Sequence, residues 1–265
     1  MIKKLLLTGL LLCVATILPL VANADMPESV TKVSVHQITE ANGKKIVQIT
    51  LFNPRNNQPI TPADLKEVHT KKVHLLIIDN ELQDYVHVHP QATNTPGLYT
   101  FDWQPKTNGH YRVWADIFPL DTNAQEYLIT DLTKPSDKKP DIDRTVSLKK
   151  EMGGFTFQLS FKPETLKVGR ATMGTLSVSD SQGRPVTKLE PLMGAFAHIV
   201  AFEDDFKTIL HIHPMGKEPK SASERGGPKL QFHLEPERAG FIKLFAQVVI
   251  DGKEFFVPFG IIVRE

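Results

Sequence analysis

Two stretches decide how this chain folds: VHLLIIDNELQDYVHVHP, Val73 to Pro90, and AHIVAFEDDFKTILHIHP, Ala197 to Pro214. In each, one histidine is followed thirteen residues later by His-X-His-Pro, and His74/His198, His87/His211, His89/His213 and Pro90/Pro214 all stand 124 residues apart. The chain is therefore a duplication built on a histidine-bearing β-hairpin. Flanking segments support this. VTKVSVHQ (Val30 to Gln37) and KIVQITLF (Lys45 to Phe52) alternate apolar and polar residues at the period of half-buried strands. TPGLYTFDW, HYRVWADIF and EYLITDLT follow the first hairpin, while FTFQLSF, GTLSVSD, KLQFHL, GFIKLFAQVVI and EFFVPFGIIV make a second set. One short helical turn is expected in ITPADLKEVHT. Many short strands punctuated by Gly, Pro and Asn, with almost no helical periodicity, predict an all-β chain of two tandem β-sandwiches.

The 265 residues divide accordingly into 1–24, 25–133, 134–150 and 151–265. Residues 1–24 read as a signal peptide: Lys3 and Lys4, an apolar run, then Ala22-Asn23-Ala24. Residues 25–133 and 151–265 are the two sandwiches. The linker, 134–150, begins with the charged, proline-bearing KPSDKKPDID. Cleavage would leave an exported chain, periplasmic or secreted, with no stable membrane span. Cys13 lies in the leader and is the only cysteine, so disulfides and thiolate chemistry are excluded from the mature protein. Loss of two lysines and no acids takes the formal charge from +1 to −1, which gives nucleic acid no electrostatic handle.

The chemistry lies in the histidines. A regular turn centred on Asn80-Glu81 would set His74 directly across from His87, and one centred on Asp204-Asp205 would set His198 across from His211. Strand alternation then brings His89 and His213 to the same faces. Three neutral imidazoles on one patch suit copper or zinc. His69 and Met193 match five residues before His74 and His198, and Met215 follows Pro214; thioethers there would favour copper. Asp116 is a further candidate ligand or partner, although Gln247 stands at its counterpart position, which favours a boundary polar residue. His36, His110 and His233 have no matching partners and read as ordinary surface or half-buried residues. Leu76, Ile78, Val200 and Phe202 share the histidine faces, so those faces need a cover. The upstream segment is one candidate, and packing of the two domains face to face is another.

HLLIID, DYVHVHP and GHYRVWADIF, with AHIVAF, ILHIHPM and GFIKLFAQ in the second half, resemble the YtkA-like group of secreted bacterial immunoglobulin-like domains. The resemblance implies an exported immunoglobulin-like sandwich associated with copper or other heavy-metal handling. Three functions stay open at this point. One is metal binding with one site per domain, His74, His87 and His89 in the first and His198, His211 and His213 in the second, with copper ahead of zinc. The second is a metal-free module for an envelope protein partner, its histidines hydrogen-bonded. The third, a metal-dependent hydrolase or hydratase, lacks a convincing general base, so a non-enzyme is expected.

Overall fold

The computed structural model describes residues 30–212 and 214–265; the side chains of His211 and Pro214 are not among those described. The expected signal peptide, Cys13 and His213 lie outside the described residues. In the first half the strands are β1 (Lys32–Ala41), β2 (Lys44–Asn53), β3 (Gln58–Pro59), β4 (Val73–Asp79), β5 (Val86–Val88), β6 (Gln91–Ala92), β7 (Leu98–Trp103), β8 (Tyr111–Ile117) and β9 (Glu126–Asp131). They form one sheet ordered β1-β2-β7-β6, with β3 paired to the end of β2, and a second ordered β5-β4-β8-β9. The expected helical turn is a 3-10 turn at Pro62–Asp64, where the Asp64 carboxylate accepts from the Thr61 backbone N–H and hydroxyl.

The second half contains β10 (Lys149–Met152), β11 (Phe155–Lys162), β12 (Leu166–Lys167), β13 (Thr172–Asp180), β14 (His198–Glu203), β15 (Ile209–Ile212), β16 (Pro214–Met215), β17 (Lys229–Leu234), β18 (Gly240–Ile250) and β19 (Lys253–Arg264). Its sheets run β10-β11-β13-β17-β16 and β12-β19-β18-β14-β15. In the first half β1, β2 and β7 oppose β4, β5, β8 and β9, and in the second β11, β13 and β17 oppose β14, β15, β18 and β19, an immunoglobulin-like distribution. The chain is all-β, as the strand patterns predict. Among the described residues no helix is long and apolar enough to cross a membrane.

The duplicated stretch is buried on both sides, which explains why VHLLIID is almost continuously apolar. Alternation sends Val73, Leu75 and Ile77 into the first sandwich core. It sends Ile199 and Ala201 into the second. Val86 and Val88 pack on the first core, and Leu210 and Ile212 on the second, as alternation requires.

The opposite face of each hairpin meets the other domain. Leu76, Ile78, Leu82, Tyr85 and Trp114 form one cluster with Val200, Phe202, Phe241 and Phe245, so the cover for the histidine faces is the partner sandwich. Ile142 of the connecting segment is buried in the same cluster. Burying each such side chain contributes about 1.5–3 kcal/mol. Polar contacts fix the docking: Arg112 Nη1 donates to the Phe206 carbonyl at 2.6 Å, and Trp114 Nε1 to that of Lys207 at 3.1 Å. The Arg112 guanidinium also lies 4.6 Å from the Phe206 ring centroid. His110, expected to be ordinary, is buried beside Phe206 with Nε2 3.1 Å from Asp131. The interdomain contact accounts for that difference.

Candidate metal centre

The hairpin register differs from the expected one. The pairs are Leu75↔Val88, Leu76↔His87 and Ile77↔Val86, so His87 lies across from Leu76 and not from His74. In the second copy His211 pairs with Val200 and not with His198. The cause is the turn. The Leu82 N–H closes on the Asp79 carbonyl at 3.0 Å, and the Asp79 carboxylate accepts from the backbone of Gln83 and Asp84. Leu82 (φ 58°) and its counterpart Phe206 (φ 56°) take left-handed conformations and aim into the domain interface. That extra residue moves the turn centre one position along and the partner by two. A shift of two preserves facing, because side chains alternate.

The three imidazoles therefore still converge. His74, His87 and His89 offer ligand nitrogens all within 4.8 Å of one another, and the group could hold a metal ion. His74 Nδ1 lies 3.2 Å from His87 Nε2 and 3.1 Å from His89 Nε2. With metal–nitrogen bonds of about 2.0–2.1 Å, tetrahedral ligands are separated by about 3.3 Å. These two separations are close to that edge.

The tautomers follow from the partners. His74 Nε2 is 2.9 Å from the Val68 carbonyl, which only accepts, so this nitrogen carries hydrogen and neutral His74 keeps its lone pair on Nδ1. His87 Nδ1 is 3.0 Å from Gln247 Oε1, and the Gln247 amide nitrogen donates to Glu254 at 2.6 Å, which fixes the amide orientation. His87 thus donates from Nδ1 and keeps its lone pair on Nε2. His74 Nδ1 and His87 Nε2, 3.2 Å apart, can thus both offer a lone pair to one ion. The other ring nitrogens of His74 and His87 donate outward, as in metal-ligating imidazoles.

Local turns aim these groups. Val68 and Lys71 bridge a tight turn whose central residues, His69 (φ 49°) and Thr70 (φ 67°), are both left-handed. Leu192 and Ala195 bridge the same turn around Met193 (φ 50°) and Gly194 (φ 78°). Each turn brings a carbonyl to a strand histidine, Val68 to His74 and Met193 to His198 Nε2 at 3.3 Å. Met193 is thus seen through its backbone, while Met215 is exposed.

The two copies meet here. His198, fully buried, has its ring 5.9 Å from that of His87 and 5.8 Å from that of His69. His69 also lies 6.4 Å from His74. Asp116 is paired across the strand with His74, and Gln247 with His198, so the counterpart positions match in space. Asp116 accepts from Gln125 at 2.8 Å; burial pushes its carboxyl up to about 6, against that hydrogen bond and the nearby histidines. Burial lowers His74 and His69, favouring neutral imidazole.

Gln247 and Glu254 are the residues that sequence reasoning missed as contributors to this centre. Gln247 reads as the polar counterpart of Asp116, and nothing local announces a contact 160 residues away.

Solved structures that are similar include the adhesin FdeC of Escherichia coli, at 15% identity and a TM-score of 0.27, covering 89% of this chain and 64% of that one. MtrC from Shewanella baltica OS185 matches at 9% identity and a TM-score of 0.27, covering 89% and 70%. The D00-D0 domain of intimin matches at 11% and 0.24, covering 89% and 100%. Likenesses this loose bear on neither fold nor function. No curated protein matches the chain. A family model described as "Domain of unknown function (DUF8832)" matches residues 28–128 and 150–265, and the chain belongs to that family.

Proposed function

We propose that this is an exported, periplasmic metal-binding protein that holds copper, or with second preference zinc, on His74, His87 and His89 at the junction of its two domains. The observation that carries the proposal is the convergence of three imidazoles whose ligand nitrogens all lie within 4.8 Å of one another. Neutral imidazole suits both ions, and nitrogen sites bind Cu²⁺ above Zn²⁺ in the ordinary affinity order. Export rests on the leader-like residues 1–24. His69 and His198 border the centre, and His211 and His213 complete the duplicated motif in sequence. The role we propose for the site is binding or buffering of the ion.

Calorimetric titration of the metal-free protein with Cu²⁺ and Zn²⁺, against a His74→Ala/His87→Ala variant, tests this. Binding by the wild type alone is expected. Equal heats, or none from either protein, would leave a proton-bridged structural cluster and overturn the metal function.

A further inference from the structure

The first domain supplies the three histidines, but His87 is oriented from outside it. Its Nδ1–H meets Gln247 Oε1 at 3.0 Å, and Gln247 belongs to β18 of the second domain. Gln247 is itself buried and fixed. It lies beside His198 in the sheet, and its amide nitrogen reaches diagonally across to Glu254 on β19 at 2.6 Å. Glu254 stands at the exposed end of this chain of contacts. The sequence carboxylate, amide, imidazole, ligand nitrogen is an extended form of the carboxylate–histidine arrangement that raises imidazole basicity and fixes ring orientation at metal sites.

We propose that Gln247, held by Glu254, is a positioning residue that the second domain contributes to the metal centre of the first. The inference rests on the metal-binding function proposed above. Its physical content is specific. If Gln247 turned away, His87 could place its hydrogen on Nε2, and the lone pair would leave the site. The centre is therefore complete only while the two sandwiches are docked, and an ion bound there favours the docked arrangement by the same free energy. Neither domain carries this arrangement alone, since the ligands lie between 74 and 89 and the positioning pair at 247 and 254.

The test uses the full chain with Cu²⁺ as probe, reading affinity by competition with a chelator of known affinity and the ligand field by electron paramagnetic resonance. Gln247→Leu keeps the volume and removes both hydrogen bonds. An affinity loss of about 10–100-fold with an altered copper spectrum is expected. Glu254→Gln, at an exposed position, leaves an acceptor for the amide but removes the carboxylate; a smaller loss with a shift in the same direction is expected. If Gln247→Leu lowers the melting temperature of the metal-free chain, the Glu254→Gln result decides. Wild-type affinity and spectrum in the deciding variant would overturn the inference while leaving the metal site standing. Failure of the wild type to bind would overturn the site itself.

Discussion

His74 is the pivot of the cluster, because one ring nitrogen is fixed by the Val68 carbonyl and the other faces both companion imidazoles. His74→Ala is expected to reduce Cu²⁺ affinity by at least 100-fold, with His89→Ala, at a half-buried position, losing less; competition titration checks the order. Asp116 and His74 pull the pH dependence of the metal-free chain in opposite senses. Asp116 is raised to about 6, so its contribution is fully present below about 3.8 and is lost as pH rises through 6. His74 is lowered by burial, so its contribution is present above 6.5 and is lost as pH falls below it. Asp116→Asn should therefore stabilise the metal-free protein at pH 8 by on the order of 1–3 kcal/mol. It should also weaken metal binding, because a cation nearby favours the carboxylate. Chemical denaturation with and without Cu²⁺ would show the reversal of sign.

The duplicated hairpin shows where sequence reasoning holds and where it stops. Facing was legible, because alternation depends only on counting by two: His74, His87 and His89 share a face under either register. The register was not legible. It depends on Leu82 adopting a left-handed conformation, and Leu82 does so while burying its side chain against a domain far along the chain. Strands such as Lys45–Phe52 were readable because their burial is local. Gln247 was not, since its partner lies in the other sandwich. The tight turn before β4 offers a direct check of the duplication. Thr70 at φ 67° occupies the place that Gly194 fills at φ 78° in the second copy. A β-branched residue is strained there. Thr70→Gly is expected to stabilise the protein by about 1 kcal/mol, measured by denaturant unfolding, without moving the hairpin register.

Across the whole molecule, the two sandwiches use the same pair of strands in each copy, β4 and β8 in the first and β14 and β18 in the second, to build a common apolar interface. Leu76 and Ile78 take the positions that Val200 and Phe202 take in the other copy, and Trp114 that of Phe245. This symmetry places both histidine ends together at one edge, where His69 and His87 reach His198. Sequence alone permitted either this docking or separate sandwiches covered by their own upstream segments. The buried interdomain cluster distinguishes them. Trp114→Ala should cost about 3–5 kcal/mol. It should also weaken metal binding although Trp114 is no ligand, a coupling that calorimetry and thermal unfolding would detect together.

The most direct measurement is a crystal structure of the copper-loaded chain with anomalous scattering recorded at the copper edge. The expected result is a copper peak about 2.0–2.1 Å from His74 Nδ1, His87 Nε2 and His89 Nε2. No anomalous peak among these three nitrogens in crystals grown with copper would contradict the central claim.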